Sequence, residues 1–251
     1  MTSSSEDDAL TPQPTPAESW RGMAEACLDF TREARKGVPE VVYAGVKSDD
    51  QVIAIVRAFL DRTGHAVVSR LRARTAERLR REFADCAIDL RRSARAAAIH
   101  APGYTRPRTG GQIGILTAGT ADVPVAEEAR LIAEEMGCSV ATLYDVGVAG
   151  LHRLLSSFGE LMAHEPSALI VCAGMDGALP SVVAGLADVP VIGVPTRAGY
   201  GAGGRGRAAL LSILQSCSPG LVAVNVGNGV GAGVTAAMIA NRVAAAREKS
   251  V

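Results

Sequence analysis

Two periodicities divide the chain. From Gly110 onward, short and nearly continuous apolar runs alternate with longer stretches whose apolar residues recur every three or four positions. That is the pattern of a parallel sheet covered by helices on both faces. The runs predict strands over Gln112–Leu116, Ser139–Tyr144, Ala168–Cys172, Val191–Val194 and Leu221–Asn225. The stretches between them predict helices over Val123–Met136, Gly150–Ala163, Pro180–Leu186, Gly206–Ser216 and Gly231–Arg247. Upstream the elements are shorter: Trp20–Arg35 is amphipathic, Val41–Tyr43 and Ala66–Ser69 read as strands, and Thr75–Arg81 as a short helix. Ser48–Leu60 reads as a helix opened by Ser48, with acids in its first turn. The expected fold class is α/β, with a small N-terminal α/β domain over residues 20–105. A flavodoxin-like or Rossmann-like doubly wound parallel sheet in three layers is expected to follow over residues 110–247.

Composition sharpens these boundaries. Residues 1–19 hold four acids, no base and the run Thr11-Pro-Gln-Pro-Thr-Pro16, a composition expected of a disordered acidic tail. Residues 20–109 carry 18 basic and 11 acidic side chains with five glycines, whereas residues 110–251 carry eight basic, 11 acidic and 22 glycines. The shift falls at a Pro- and Gly-rich linker, His100–Gly111. Over the whole chain 26 basic residues balance 26 acidic ones and aromatics are 4%, which argues against a nucleic-acid partner. Eleven arginines between Arg70 and Arg108 stand against four acids. They read as a solvated face in preference to a phosphate or RNA footprint, because no aromatics interleave them. The uncharged stretch Ala208–Asn241 is broken by Ser216, Ser218-Pro219-Gly220 and Asn225, so it reads as buried strand and helix and, with so little charge, as a subunit interface. No membrane association is expected. The N-terminus lacks the basic and apolar regions of a secretory signal, so a cytoplasmic location is expected. Five cysteines without C-x-x-C or paired-histidine spacing read as reduced thiols.

Ligands of doubly wound sheets sit beyond the carboxyl ends of the strands. The loops there are Thr117–Pro124, Ala173–Ser181, Thr196–Arg205 and Asn225–Gly233, rich in Gly, Thr, Ser and Asn. The first ends at a helix N-terminus and suits a phosphate, with Thr120 or Asp122 as a helix cap. The second carries one carboxylate, Asp176. Many backbone donors and few charges suit a large nucleotide-like ligand. Gly199–Gly204 matches G-x-G-x-x-G, but follows the fourth strand with no acid about twenty residues on, which speaks against a dinucleotide redox site. No Walker A, G-x-S-x-G or H-E-x-x-H motif occurs. Cys217, before a Pro-Gly break, reads on physical grounds more readily as a small buried hydrophobe than as a nucleophile. His65, His100, His152 and His164 lie outside these loops and read as surface or linker histidines.

Four runs carry a family resemblance: Gly111–Ala129, Ala173–Leu186, Val194–Gly201 and Ala209–Gly220, supported by Pro39–Tyr43 with Lys47. The chain resembles LarB, the pyridinium-3,5-biscarboxylic acid mononucleotide synthase of nickel pincer cofactor biosynthesis, and its second domain resembles the PurE-type aminoimidazole ribonucleotide (AIR) carboxylases. The resemblance implies carboxylation of nicotinic acid adenine dinucleotide at ring carbon 5 by carbon dioxide or bicarbonate, with hydrolysis of the phosphoanhydride to release AMP. It implies a Cys217 adduct on ring carbon 6 and Asp176 as the base that removes the carbon 5 proton. The substrate-binding residues expected are Thr117, Gly119, Thr120 and Asp122 after the first strand, and Gly174, Met175, Gly177, Ala178, Leu179 and Ser181 after the third. Thr196, Arg197 and Tyr200 after the fourth strand and Asn225 and Asn228 after the fifth complete the set. Magnesium on the phosphates, no tightly bound organic cofactor, a homo-octamer, and a sulfur-inserting and a nickel-inserting enzyme as pathway neighbours are also implied. The sequence departs from the family with Asp176 for Glu, Arg197 for Ser and Gly227 for Asp. A purine-pathway carboxylase and a non-catalytic nucleotide-binding oligomer remain as alternatives.

Overall fold

The computed structural model of the chain describes residues 27–249. The acidic tail expected over 1–19, and the start of the amphipathic stretch from Trp20, lie outside the described residues. What is described of that stretch yields only α1, Arg32–Lys36, closed by a left-handed Gly37.

Four strands form the N-terminal sheet: β1 (Val41–Tyr43), β2 (His65–Ser69), β3 (Ala87–Arg91) and β4 (Ala96–His100), in the order β1-β2-β4-β3. β1 runs parallel to β2, while β2 and β3 pair antiparallel with β4. Helices α2 (Asp49–Thr63) and α3 (Ala73–Glu82) complete this unit. The Ser48 hydroxyl accepts from the Gln51 N–H and the Gln51 side chain accepts from the Ser48 N–H, a reciprocal cap that starts α2 where the sequence predicts. Strands β3 and β4 lie inside the arginine-rich segment that reads from sequence as a solvated face. Ala97 and Ile99 of β4 join Val52, Val56, Phe59 and Leu79 in the unit's own core. Ala96 and Ala98, on the opposite face, pack against Leu131 of the C-terminal unit.

The C-terminal sheet is parallel throughout, in the order β6-β5-β7-β8-β9, with β5 (Gln112–Thr117), β6 (Ser139–Leu143), β7 (Ala168–Ala173), β8 (Val191–Pro195) and β9 (Leu221–Ala223). Within the unit this is the flavodoxin-like order 2-1-3-4-5. Helices α4 (Val123–Glu135) and α8 (Gly229–Glu248) cover one face. The other carries α5 (Leu151–Met162) and α6 (Leu179–Leu186), and α7 (Arg207–Leu214) lies against β8 and β9. Gly233 lets α8 approach α4 closely, since a Cβ there would meet Ile132 at 3.0 Å and the Ala129 backbone. The uncharged stretch resolves into α7, β9 and α8. α8 is long and apolar enough to cross a membrane by length and composition, yet Ala232, Ala236, Ala237 and Ala240 on it are core residues.

The linker is strapped down. Tyr104 stacks on His65 and His100, with ring centroids 4.7 and 5.2 Å apart, and Thr109 donates to Asn241 Oδ1. This corrects the surface reading of two histidines. His65 is buried, its Nε2 2.8 Å from Glu33, and His100 Nε2 lies 2.9 Å from the buried Glu135. His152 and His164 are exposed as expected.

Candidate functional site

A cavity of about 850 Å³ opens between the two units, at the carboxyl edge of the parallel sheet. The C-terminal unit supplies Thr196, Arg197 and Ala198 from the loop after β8, Asn225–Asn228 from the loop after β9, and Val125 and Glu128 from the start of α4. The N-terminal unit supplies Val41, Tyr43, Gly45, Ser69, Arg70 and Arg95. A second cavity, of about 760 Å³, lies under the linker among Tyr104–Arg108 and Gly137–Val140, at the opposite edge. Parallel sheets place their ligands at the carboxyl edge, so the first is the candidate site.

Asp122 organises that edge. The residue precedes α4 without capping it by its side chain. Its carboxylate, buried to 3% exposure, accepts from the Gly119 N–H at 2.9 Å, the Thr196 hydroxyl at 2.5 Å and the Gly174 N–H, joining the loops after β5, β7 and β8. Burial pushes its carboxyl above the ordinary range, against the pull of these donors. Thr196 is thereby committed to Asp122, while also accepting from the Ala198 N–H. The loop after β6, in which sequence reasoning named no residue, is tied to the same edge. The Asp145 N–H donates to Thr117 Oγ1 and the Val146 N–H to the Thr117 carbonyl, both at 3.0 Å.

Glu128 organises the cavity wall. Its carboxylate accepts from Ser69 Oγ at 3.1 Å and from the N–H groups of Gly229 and Val230 at the start of α8, and faces Arg70 at 3.5 Å. Burial raises its carboxyl above the usual value, although Arg70 opposes this. From sequence Glu128 reads only as an acid favouring the positive end of α4. Its tie to α8 joins residues a hundred positions apart and leaves no local signal.

The structure therefore divides the expected binding residues. Thr196, Arg197, Asn225 and Asn228 line the cavity, with Asn228 Oδ1 capping α8 through the Gly231 N–H at 2.8 Å. Gly119, Thr120, Gly174, Gly177 and Ala178 lie around the same edge outside the cavity lining, with Met175, Asp176 and Tyr200 exposed beside them, while Ser181 lies within α6 against the loop that carries Cys217. Thr117 and Leu179 do not present side chains to a ligand: Thr117 is sealed beneath the Asp145 loop, and Leu179 packs in the core beside Leu154 and Val183. Cys217 is exposed, but its loop leads from α7 into β9, so within one chain it lies toward the amino edge of the sheet. The next residue, Ser218, holds that loop against α6 by donating to the Ser181 carbonyl at 2.9 Å.

Fold and cavity define a class: a flavodoxin-like α/β protein with a nucleotide-sized site at the carboxyl edge, roofed by a second α/β unit. Comparison with known proteins is more specific. Residues 112–251 match the AIR carboxylase family and residues 21–101 match the LarB/PurE-like N-terminal domain. The chain belongs to the AIR carboxylase family, in the form that carries this N-terminal domain. An uncharacterized protein of Methanocaldococcus jannaschii is 42% identical over 216 residues, which is 85% of this chain and 83% of that one. The N5-carboxyaminoimidazole ribonucleotide mutase of Thermotoga maritima is 33% identical over 51% of this chain and 74% of its own length. The mutase of M. jannaschii is 32% identical over 55% and 82%.

Proposed function

We propose that the protein carboxylates nicotinic acid adenine dinucleotide and cleaves its phosphoanhydride, yielding pyridinium-3,5-biscarboxylic acid mononucleotide and AMP in the cytoplasm. The observation that carries this reading is the N-terminal unit. The ribonucleotide mutases align with little more than half of the chain, whereas here a second unit matched to the LarB/PurE-like N-terminal domain roofs the cavity with Tyr43, Arg70 and Arg95.

The chemistry balances as dinucleotide plus carbon dioxide plus water giving dicarboxylated mononucleotide plus AMP. A pyridinium ring is electron-poor and does not attack carbon dioxide. The Cys217 thiolate adds to carbon 6, the ring gains enamine character, and carbon 5 attacks carbon dioxide to form the new C–C bond. Asp176 removes the carbon 5 proton, its electron pair returns to the ring, and the thiolate leaves. Water then splits the phosphoanhydride. For magnesium, the donor set does not fit a protein-built cage. Among the described residues no group of three His, Cys, Asp or Glu side chains is arranged to hold a metal ion, and the cavity's Glu128 is occupied by Ser69 and the α8 amides. No step is assigned to the metal.

Because Cys217 and the cavity sit toward opposite edges of one chain, this reading requires a second copy to bring its Cys217 loop to the site. Leu211, Leu214 and Val222, exposed around that loop, supply an apolar contact for it. Mixing Cys217→Ala and Asp176→Asn chains into hybrid oligomers should restore about a quarter of the wild-type rate. No recovery would place both groups in one chain.

The direct test is mass spectrometry of the protein with the dinucleotide, magnesium and carbon-13 bicarbonate. Labelled dicarboxylated mononucleotide with AMP is expected. Intact dinucleotide, with turnover of N5-carboxyaminoimidazole ribonucleotide instead, would replace this reading by a mutase.

A further inference from the structure

The cavity is lined by three guanidiniums, of Arg70, Arg95 and Arg197, and by one carboxylate, of Glu128. Elsewhere in the arginine-rich segment most guanidiniums meet carboxylates: Arg72 and Arg74 on Asp49, Arg78 on Asp50 and Glu82, Arg91 on Asp89, Glu127 and Glu134, Arg106 on Glu135, with Arg81 and Arg108 the exceptions among the described residues. At the cavity, Arg95 and Arg197 have no carboxylate partner among the described residues. Arg70 has only Glu128, at 3.5 Å, which Ser69 and two backbone amides already hold.

Backbone geometry adds a second observation. Arg70 and Arg95 both adopt left-handed conformations, φ 58° and 54°, which cost a side-chain-bearing residue free energy and collect at functional positions. The two are locked together. The Leu71 N–H donates to the Arg95 carbonyl at 2.6 Å, and Arg95 Nε donates to the Leu71 carbonyl at 3.0 Å. Arg70 Nη2 also donates to the Gly227 carbonyl, across the cavity mouth. A guanidinium has five N–H donors, so this contact leaves others for a ligand. A Cβ at Gly227 would stand 3.7 Å from Arg70 Nη2. A carboxylate side chain there would claim that guanidinium, whereas glycine leaves it to the ligand.

We infer that Arg70 and Arg95, with Arg197 opposite, form an anion grip in which the N-terminal unit holds the phosphates of a nucleotide bound at the sheet edge. The grip deepens the proposed function, on which it rests for the identity of the ligand as a dinucleotide. It assigns the phosphoanhydride's charge to guanidiniums, which suit phosphate geometry, and makes the N-terminal unit part of the site.

The test is isothermal titration of the full chain with inorganic pyrophosphate, nicotinic acid adenine dinucleotide and nicotinic acid riboside. Asparagine tolerates positive φ, so Arg70→Asn and Arg95→Asn remove the guanidiniums with the backbone unstrained; circular dichroism checks that each folds. Arg197→Ala tests the opposite wall, and Arg80→Ala, from an exposed pair with Glu77, is the control. Arg70→Asn should weaken pyrophosphate and dinucleotide binding roughly tenfold to a hundredfold, with Arg70→Lys recovering part. Affinity for the riboside, which has no phosphate, should stay within about twofold. Unchanged affinity in folded Arg70→Asn and Arg95→Asn, or failure of the wild type to bind any phosphate ligand, overturns the grip. Pyrophosphate held through Arg70 without turnover of the dinucleotide upholds the grip and overturns the proposed function. Turnover by Arg70→Asn at wild-type KM does the reverse.

Discussion

Cys217 and Asp176 have different tolerances in the proposed reaction, and substitution separates them. A nucleophile that forms and breaks a bond to carbon 6 has no substitute, so Cys217→Ala should abolish incorporation of labelled bicarbonate while leaving dinucleotide binding intact. A base can be moved by one methylene. Asp176→Asn should lower kcat by roughly 10²- to 10⁴-fold, whereas Asp176→Glu, which keeps a carboxylate one methylene longer, should retain turnover. Equal loss in both would remove Asp176 from the proton transfer and leave it as a turn residue, since its Oδ1 already accepts from the Ala178 N–H at 3.3 Å. At this scale the sequence was legible where a residue type implies its own chemistry. It was silent where a role depends on distant partners. Nothing near Asp122 announces that its carboxylate joins three loops, and nothing near Arg70 separates it from the paired arginines that follow.

Among the elements, every strand and helix expected after Gly110 is present, because buried parallel strands are continuous apolar runs and their helices keep a 3.6-residue period. β3 and β4 were not legible. β4 reads Ala-Ala-Ala-Ile-His, built from small residues of low strand propensity, because its two faces are pressed between the α2–α3 core and Leu131 of α4. Tertiary packing decided it. The same close approach governs the edge loops, where a glycine differs from one on an exposed helix face. A Cβ at Gly174 would fall on the Ala198 carbonyl oxygen and lie 2.8 Å from Thr196 Oγ1. Gly174→Ala should therefore destabilise the fold by about 1–3 kcal/mol. Gly159 lies in α5 with nothing within 4 Å of its Cβ position. Gly159→Ala should stabilise by about 0.5–1 kcal/mol. Urea unfolding of both variants checks the pair, and equal effects would show that the edge loops yield to a methyl group.

For the whole molecule, the decisive contacts are those that fasten one unit to the other. Arg91 of β3 reaches Glu127 and Glu134 of α4 at 2.8 and 2.7 Å. Beneath Tyr104, Glu135 of α4 meets Arg106 and His100, with His65 Nδ1 at 3.9 Å. His65 also faces Glu33 of α1 at 2.8 Å. Burial alone pulls the imidazole's pKa down, but Glu135 and Glu33 outweigh it and raise the pKa from 6.5 to about 9. Burial pushes the Glu135 carboxyl up, yet its histidine and arginine partners hold it near 2. The signs of linkage follow. A histidine pKa raised on folding adds stability that is complete below the unfolded value of 6.5 and disappears as pH climbs through 9. A carboxyl pKa lowered on folding adds stability that is complete above 4.5 and is lost as pH falls toward 2. Both contributions are whole between 4.5 and 6.5, so the units should be fastened most firmly in that window. Unfolding free energy measured from pH 6 to 10 should fall by on the order of 2–3 kcal/mol through this histidine. His65→Gln, which cannot ionise, should start lower and run nearly flat over the same range. A wild-type profile parallel to that of His65→Gln would show that His65 is not the titrating group, and would leave Arg91 and Arg106 as the charged links to α4.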